Sequence, residues 1–265
     1  MAVNADFQIT FVYNWFHAII QIVLRMDGIM KILAVDASGQ VASVAVATEN
    51  GILAEYSVDY LKTHSQTLLP MIDEVLKMTD TDKNSLDAIA VSAGPGSFTG
   101  LRIGVATVKG LAAALDKPVI AVPTLEMLAE NFFGSGELIC PMMDARRNQV
   151  YTAVYRSEGE NLVPVVAQKA CALDEILAEL NRLQQSVVLL GDGVDAYKEQ
   201  IRAGLTISYR LAALHQNRQR AGSLATLALQ KVKNGQMMPG AELVPEYLRL
   251  SQAERERLEK GQEIK

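Results

Sequence analysis

The sequence predicts an α/β protein: mixed β-sheets flanked by helices, in two lobes of which the second is reduced. Three observations carry this. From Lys31 to the helix that begins at Thr124 the pattern runs strand, strand, strand, helix, strand, helix, strand, helix, an order that fits a mixed sheet covered by helices. The stretch DAIAVSAGPGSFTGLRIGVATVKGLAAAL at 87–115 reads as a buried strand, a glycine turn and an apolar helix. The second half repeats strand and helix signals less regularly, and no low-complexity linker parts it from the first, so the lobes are expected to pack closely.

Each element has a local reason. KILAVDAS at 31–38 is an apolar run rich in β-formers, typical of a buried strand. VASVAVAT at 41–48 follows the break at Gly39-Gln40, and GILAEYSV at 51–58 follows the turn signal Glu49-Asn50-Gly51. HSQTLLPMIDEVLKM at 64–78 has helical periodicity, with Leu68, Leu69, Ile72, Val75 and Leu76 on one stripe and Met71 and Met78 at its shoulder. Pro70 lacks the N–H that would bond back to residue 66 and is expected to bend the first turns. LDAIAVSA, the glycine turn and a helix at 101–115 follow, then the strand PVIAVP and a helix from Thr124. Beyond it, ELICPMMDARRNQVYTAVYR reads as two strands about a turn at Asp144 to Asn148. LVPVVAQ, a helix near 174–183, SVVLLGDG and SLATLALQKVKNG complete a smaller lobe. The expected division is an extension at 1–29, a first lobe at 30–133, a second at 134–250 and a charged tail at 251–265.

Bulk properties narrow the function. The 265 residues are 49% apolar, enough for a substantial core, and the mean hydropathy is only +0.13. A formal net charge of −5 and a pI near 5.3 argue against a chain that grips nucleic acid alone, because phosphate contacts need clustered Lys and Arg. Arg218 and Arg220 read as ordinary solvated surface. Cys140 and Cys171 lack metal-type spacing and read as buried free thiols in a reducing cytoplasm. His17, His64 and His215 are far apart, and HxxxH, HExxH and CxxC are absent. The apolar stretch FQITFVYNWFHAIIQIVL has no Lys or Arg before it, no small-residue cleavage site after it, and marginal length for a membrane span. It reads as an upstream extension, with Met30 or Met26 as the natural start and no membrane partner.

Three constellations could carry chemistry. In AGPGSFTGLRIG, Gly94, Gly96 and Gly100 allow close backbone approach, and Ser97 and Thr99 suit an N-cap. The spacing is neither GxGxxG nor GxxxxGK[ST], and no Lys reaches a terminal phosphate. Asp36, with Ser38 and Gly39 next, either faces a Mg²⁺-bound nucleotide or accepts locally in a turn. Asp144, Arg146 and Arg147 form a compact charged loop, an anion or partner contact or simply a solvated turn. On the helix at 101–115, Leu101, Val105, Val108, Ala112 and Leu115 share one face, and Ile103, Thr107, Gly110 and Ala114 a second, also apolar. Only Arg102 and Lys109 mark a polar strip. Such a helix must be covered on more than one side, by the sheet and by a second helix or another protein.

MKILAVDAS, HSQTLLPMI, AVSAGPGSFTGLRIGVATVKGLA, VPTLEMLA, DARRNQVYTAVY and EYLR together resemble the TsaB (YeaZ-like) family, from Met30 to about Leu250. The resemblance implies an actin/hexokinase-like (ASKHA) architecture of two related lobes with the C-terminal lobe reduced. It implies a non-catalytic scaffold or activating subunit, working with TsaD and the ATPase TsaE. That machinery transfers a threonylcarbamoyl group to N6 of the adenosine beside the tRNA anticodon. TsaD-like relatives carry two metal-binding histidines in an HxxxH. The matching stretch here is VPTLEMLA, with Thr124 and Leu128 at those places, and neither side chain replaces an imidazole.

The resemblance further implies a partner and homodimer face on the helices at 64–78 and 101–115. Its expected residues are His64, Leu68, Met71, Ile72, Val75, Met78, Leu101, Arg102, Val105, Ala106 and Lys109. A charge at Val105, Ala106 or Met71 is expected to break association and leave the fold intact. Asp36, Ser38, Gly94, Gly96 and Ser97 are expected to be a vestigial nucleotide site. No intrinsic cofactor is expected, ATP or ADP binding only at a complex interface and tRNA being reached only through the complex. Two alternatives come from other classes. An M22-like, glycoprotease-type peptidase would need His64 as base beside Ser97 or Thr99, with Asp36 orienting it. An ASKHA small-molecule kinase would need Asp36 and the 94–97 turn.

Overall fold

The computed structural model describes residues 29–60 and 63–249; the expectations for the segment up to Gly28 and for the tail at 251–265 lie outside them. The first sheet contains β1 (Lys31–Asp36), β2 (Ala42–Thr48), β3 (Gly51–Val58), β4 (Ala88–Gly94) and β5 (Val119–Pro123) in the order β3-β2-β1-β4-β5. β1–β2 and β2–β3 are antiparallel, and β1–β4 and β4–β5 are parallel. The second sheet contains β6 (Leu138–Asp144), β7 (Gln149–Glu158), β8 (Asn161–Ala172), β9 (Val187–Leu190) and β10 (Tyr209–Leu211) in the order β10-β9-β6-β7-β8. Its pairings are antiparallel for β6–β7 and β7–β8 and parallel for β6–β9 and β9–β10. Strand for strand the two sheets follow one plan, the pair of related lobes that the actin/hexokinase-like resemblance implies.

The helices are α1 (His64–Met78), α2 (Phe98–Leu115), α3 (Thr124–Glu130), α4 (Leu173–Leu183), α5 (Asp192–Ala196), α6 (Lys198–Gly204) and α7 (Ala221–Lys233). β1, β2 and β4 are buried on both faces, so they read as continuous apolar runs rather than alternating ones. One face of the first sheet, with Leu33, Val35, Val44 and Val91, packs against α1 and α2. The other, with Ile32 and the small residues Ala34, Ala45, Ala47, Ala88 and Ala90, packs against Ala221, Leu224, Ala225 and Ala228 of α7. Alanine facing alanine lets that helix approach closely. α3 stands between the lobes: Met127 joins the first core, while Leu125 and Leu128 join Ile139, Val188 and Leu190 of the second sheet.

Here the structure differs from the expected division of the chain. α7 and the segment from Met238 to Leu243 fall within the expected second lobe, yet they pack on the first. An apolar periodicity reports that a helix is buried without saying on which sheet. α5, α6 and β10 are not among the elements expected from the sequence; they are short and lack the continuous apolar run that makes β5 and β9 legible at similar length. Among the described residues only α2 is long and apolar enough to cross a membrane by length and composition; in the structure Leu101, Val105, Val108 and Ala112 hold it on the sheet.

Candidate functional site

The glycine turn between β4 and α2 is closed by the chain's own carbonyl oxygens. A Cβ at Gly96 would lie 2.2 Å from the Ser38 carbonyl oxygen, and one at Gly100 2.1 Å from that of Ala37. Gly94, at φ +131°, meets the Glu246 carbonyl oxygen in the same way at 2.2 Å. The glycines are therefore required by backbone packed on backbone. Ser97 N donates to the Ser38 carbonyl at 2.7 Å, and Gly100 N donates to Ser97 Oγ at 3.3 Å, capping α2. Two of the N–H groups that could hold an anion, those of Ser97 and Gly100, are thus committed within the chain.

Asp36 is fully buried at the end of β1. Its Oδ1 accepts from Ser38 N at 3.1 Å, from Ser38 Oγ at 2.7 Å and from Ser92 Oγ. Burial pushes its carboxyl above the usual range, against the pull of those hydroxyl donors. It serves as a turn acceptor that ties β1 to β4. The triad a peptidase would need is not assembled. His64 Nε2 bonds the Gly39 carbonyl oxygen at 2.8 Å, while His64 Nδ1 and Asp36 Oδ2 are buried without partners, and Ser97 Oγ is occupied by the cap.

Between the lobes lies a cleft of about 450 Å³, which Ser38, Gly96 and Ser97 line from the first lobe and Asp144, Tyr151 and Asp192 from the second. Asp36 and Gly94, expected with them, do not line it. Asp144 stands at the end of β6 as Asp36 does at the end of β1. It pairs with Arg146 at 3.2 Å, accepts from Tyr197 Oη at 2.9 Å, and its N–H donates to Asp192 Oδ1 at 3.2 Å. Burial raises the Asp192 carboxyl, and the neighbouring Asp144 adds to this. Arg146, Arg147 and Asn148 all take left-handed φ of 65°, 55° and 59°, turning the chain back into β7. A run of three such non-glycine residues is costly backbone, and no feature of the sequence pattern announces it.

The α1–α2 face requires a correction. Leu68, Met71, Ile72, Val75 and Val105, expected at a docking surface, are 5% exposed or less and pack in the first lobe's own core, and Leu101 is 1% exposed. The apolar stripe that makes a helix legible is the stripe it turns toward its own sheet. His64 is half-buried and turned toward Gly39. Arg102 and Lys109 are also engaged within the chain: Arg102 Nε donates to Tyr247 Oη at 3.1 Å, and Lys109 Nζ donates to the Ala241 and Leu243 carbonyls at 2.9 Å each. What faces outward on α2 is Ala106, Gly110, Ala113 and Ala114, flanked by half-buried Ile103 and Thr107. On α1 it is Leu69, 56% exposed, and Met78, 71% exposed.

Thr124 and Leu128, at the places of the metal-binding pair, are wholly buried. Leu128 is in the core between the lobes, and Thr124 Oγ1 has no partner. Glu126 lies 3.7 Å from Lys231. Burial, with Glu126 nearby, lifts Glu130 to about 7. Among the described residues no group of three or more His, Cys, Asp or Glu is placed to hold a metal ion. Cys140 and Cys171 are buried and free, and burial pushes their thiols up to about 12 and about 11.

A duplicated two-lobed fold with this turn and this inter-lobe helix defines a class. The family model described as "TsaD: tRNA N6-adenosine threonylcarbamoyltransferase" matches residues 49–257. Within that class the relatives are specific. The tRNA threonylcarbamoyladenosine biosynthesis protein TsaB of Bacillus subtilis is 37% identical over 225 residues, 85% of this chain and 96% of that protein. TsaB of Escherichia coli is 31% identical over 173 residues, 64% of this chain and 74% of that protein. The solved structure of YeaZ from Pseudomonas aeruginosa superposes with a TM-score of 0.71 at 28% identity, covering 83% of this chain and 100% of that one. The chain belongs to the TsaB family.

Proposed function

We propose that this protein is the accessory subunit of tRNA threonylcarbamoyladenosine biosynthesis, carrying no chemistry of its own and acting by docking on a TsaD-type catalytic subunit. One observation carries the reading: the turn that would cradle a phosphate is filled by the chain's own carbonyl oxygens, while the small-residue side of α2 stays uncovered. Small side chains let a partner helix approach closely. The docking face is the outward side of α1 and α2, centred on Ala106 and Gly110 and bordered by Leu69 and Met78. A second copy of the chain can occupy the same face, giving a homodimer that competes with the catalytic subunit. A TsaE-type ATPase joins the assembly. ATP or ADP binds at a subunit interface rather than in this chain's turn, and the acidic chain meets tRNA only through the complex.

Reconstitution tests this. Purified TsaD-type and TsaE-type proteins, the threonylcarbamoyl-AMP-forming enzyme and unmodified tRNA are combined with and without this chain. Modified adenosine is then quantified by mass spectrometry of the digested tRNA. The reading expects modification only when the chain is present. Equal modification without it overturns the accessory role. Modification by this chain without the TsaD-type subunit overturns the assignment of chemistry to the partner.

A further inference from the structure

The segment from Met238 to Arg249 is irregular, with one 3-10 turn at Gly240–Glu242, and it touches both lobes. It begins as an added strand residue, with Met238 and Val119 exchanging backbone bonds of 2.8 and 3.0 Å at the edge of β5. It then runs along α2 from the C-terminal end to the N-terminal end. Lys109 bonds two of its carbonyls, and Leu243 is 1% exposed in the first lobe's core. The ring of Tyr247 lies 5.1 Å from that of Phe98, whose face carries the Arg102 guanidinium at 3.9 Å. At Glu246 the segment reaches the glycine turn, where its N–H donates to the Ala93 carbonyl at 2.7 Å and its carbonyl rests on Gly94.

There it crosses to the second lobe. Gln168 Nε2 of β8 donates to Glu246 Oε1 at 2.6 Å, and Arg249 donates to the Ala145 carbonyl, just beyond β6, at 2.7 Å. Glu246, Tyr247, Leu248 and Arg249 form one wall of the inter-lobe cleft.

We propose that residues 238–249 are a clasp that fixes the angle between the lobes and the width of the cleft, latched on α2 by Lys109 and anchored on the second lobe by Arg249. A carbonyl pair held by one ammonium is a strong latch because the donor is charged, and it sits one turn from the outward Ala106. Opening the cleft requires the clasp to leave α2 or the Ala145 hairpin. The lobe angle is thereby tied to the helix that carries the docking face. The clasp rests on the contacts within this chain and does not depend on which partner covers that face.

The test is hydrogen exchange by mass spectrometry on the full chain, comparing wild type with Lys109→Met, which keeps the aliphatic stem, and Arg249→Gln. Losing a bond from a charged donor speeds exchange about tenfold where it limits opening. Arg249→Gln is expected to do this at the Glu246 amide and in the hairpin at 145–149. Lys109→Met is expected to do it along 241–247 and, because the clasp moves as one piece, in the same hairpin of the other lobe. Lys109→Arg keeps the cation and restores the slow rate. An effect of Lys109→Met that stops at Leu243 overturns the clasp. So does an Arg249→Gln chain whose 145–149 amides exchange at the wild-type rate. Amides of β1 serve as the reference: if they speed up equally, the whole fold has loosened and the clasp explanation is refuted for that variant, leaving Arg249→Gln to decide.

Discussion

Val105 and Ala106 are neighbours on α2, and the same substitution is expected to do opposite things to them. Val105 is 5% exposed, in the core formed with Val35, Val91 and Leu68. Changing it to Asp forfeits about 2 kcal/mol of apolar burial. It also places a carboxyl among apolar neighbours, which costs about 2–7 kcal/mol more without a partner. The sum, about 4–9 kcal/mol, is comparable with the whole stability of a typical domain, about 5–15 kcal/mol. Val105→Asp is therefore expected to abolish the cooperative melting transition, with partner binding lost as a consequence of unfolding. Ala106 is exposed, so Ala106→Asp costs only the helix propensity, about 0.7 kcal/mol, a fall of about 1–3 °C in Tm. On a docking face the new carboxylate is desolvated on association. About 3 kcal/mol lost there weakens binding roughly a hundredfold. Circular dichroism melting and titration calorimetry with the TsaD-type subunit measure both. A folded Val105→Asp chain refutes the burial argument, and an Ala106→Asp chain that binds at wild-type affinity refutes the face.

Three further outcomes follow from the geometry. Gly110→Ala meets nothing within 4 Å and is expected to raise stability by about 0.5–1 kcal/mol in urea titration, whereas Gly100→Ala, 2.1 Å from the Ala37 carbonyl, is expected to lower it by about 1–3 kcal/mol or more. Glu130 is raised from 4.5 to about 7, so the fold favours its protonated form. Its contribution is complete below the ordinary value and lost as pH climbs through about 7. Wild type should lose about 2 kcal/mol from about pH 5 to about pH 8 on this account, and Glu130→Gln should flatten the decline and be the more stable chain at the upper pH. An unchanged pH profile in that variant would count against the assignment. Cys140 and Cys171, with thiols near 12 and 11, should resist a disulfide reagent at about pH 8 in the native chain and react once it is unfolded in urea.

Much of this was legible because it is local. The three opening strands, α1 to its two ends, the turn before α2 and the hairpin around Asp144 follow from apolar runs, turn residues and helical period. The two thiols were legible as buried from their surroundings. The exposure of the residues expected at a docking face was read less well, for a physical reason. Periodicity identifies the apolar side of α1 and α2, and the cheapest cover for that side is the chain's own sheet. Leu101 and Val105 therefore went to the core, and the surface left over is the weakly patterned one of Ala106, Gly110 and Ala113. Arg102 and Lys109 looked like a polar strip awaiting a partner, and their partners lay more than a hundred positions along, at |i−j| of 145 and 132–134.

The sequence by itself determined most of the elements, the α/β class and the family, since those depend on short-range pattern and on motifs such as AGPGSFTGLRIG and DARRNQVY. Tertiary structure alone decided what packs against the turn. Three glycines permit a phosphate or a close backbone equally well, and only the tertiary structure brings the Ser38, Ala37 and Glu246 carbonyls against them. It alone decided that α7 and the segment after Met238 return to the first sheet. Long-range packing chooses between faces that local pattern leaves equivalent, because burial rewards any apolar face that finds a complementary one.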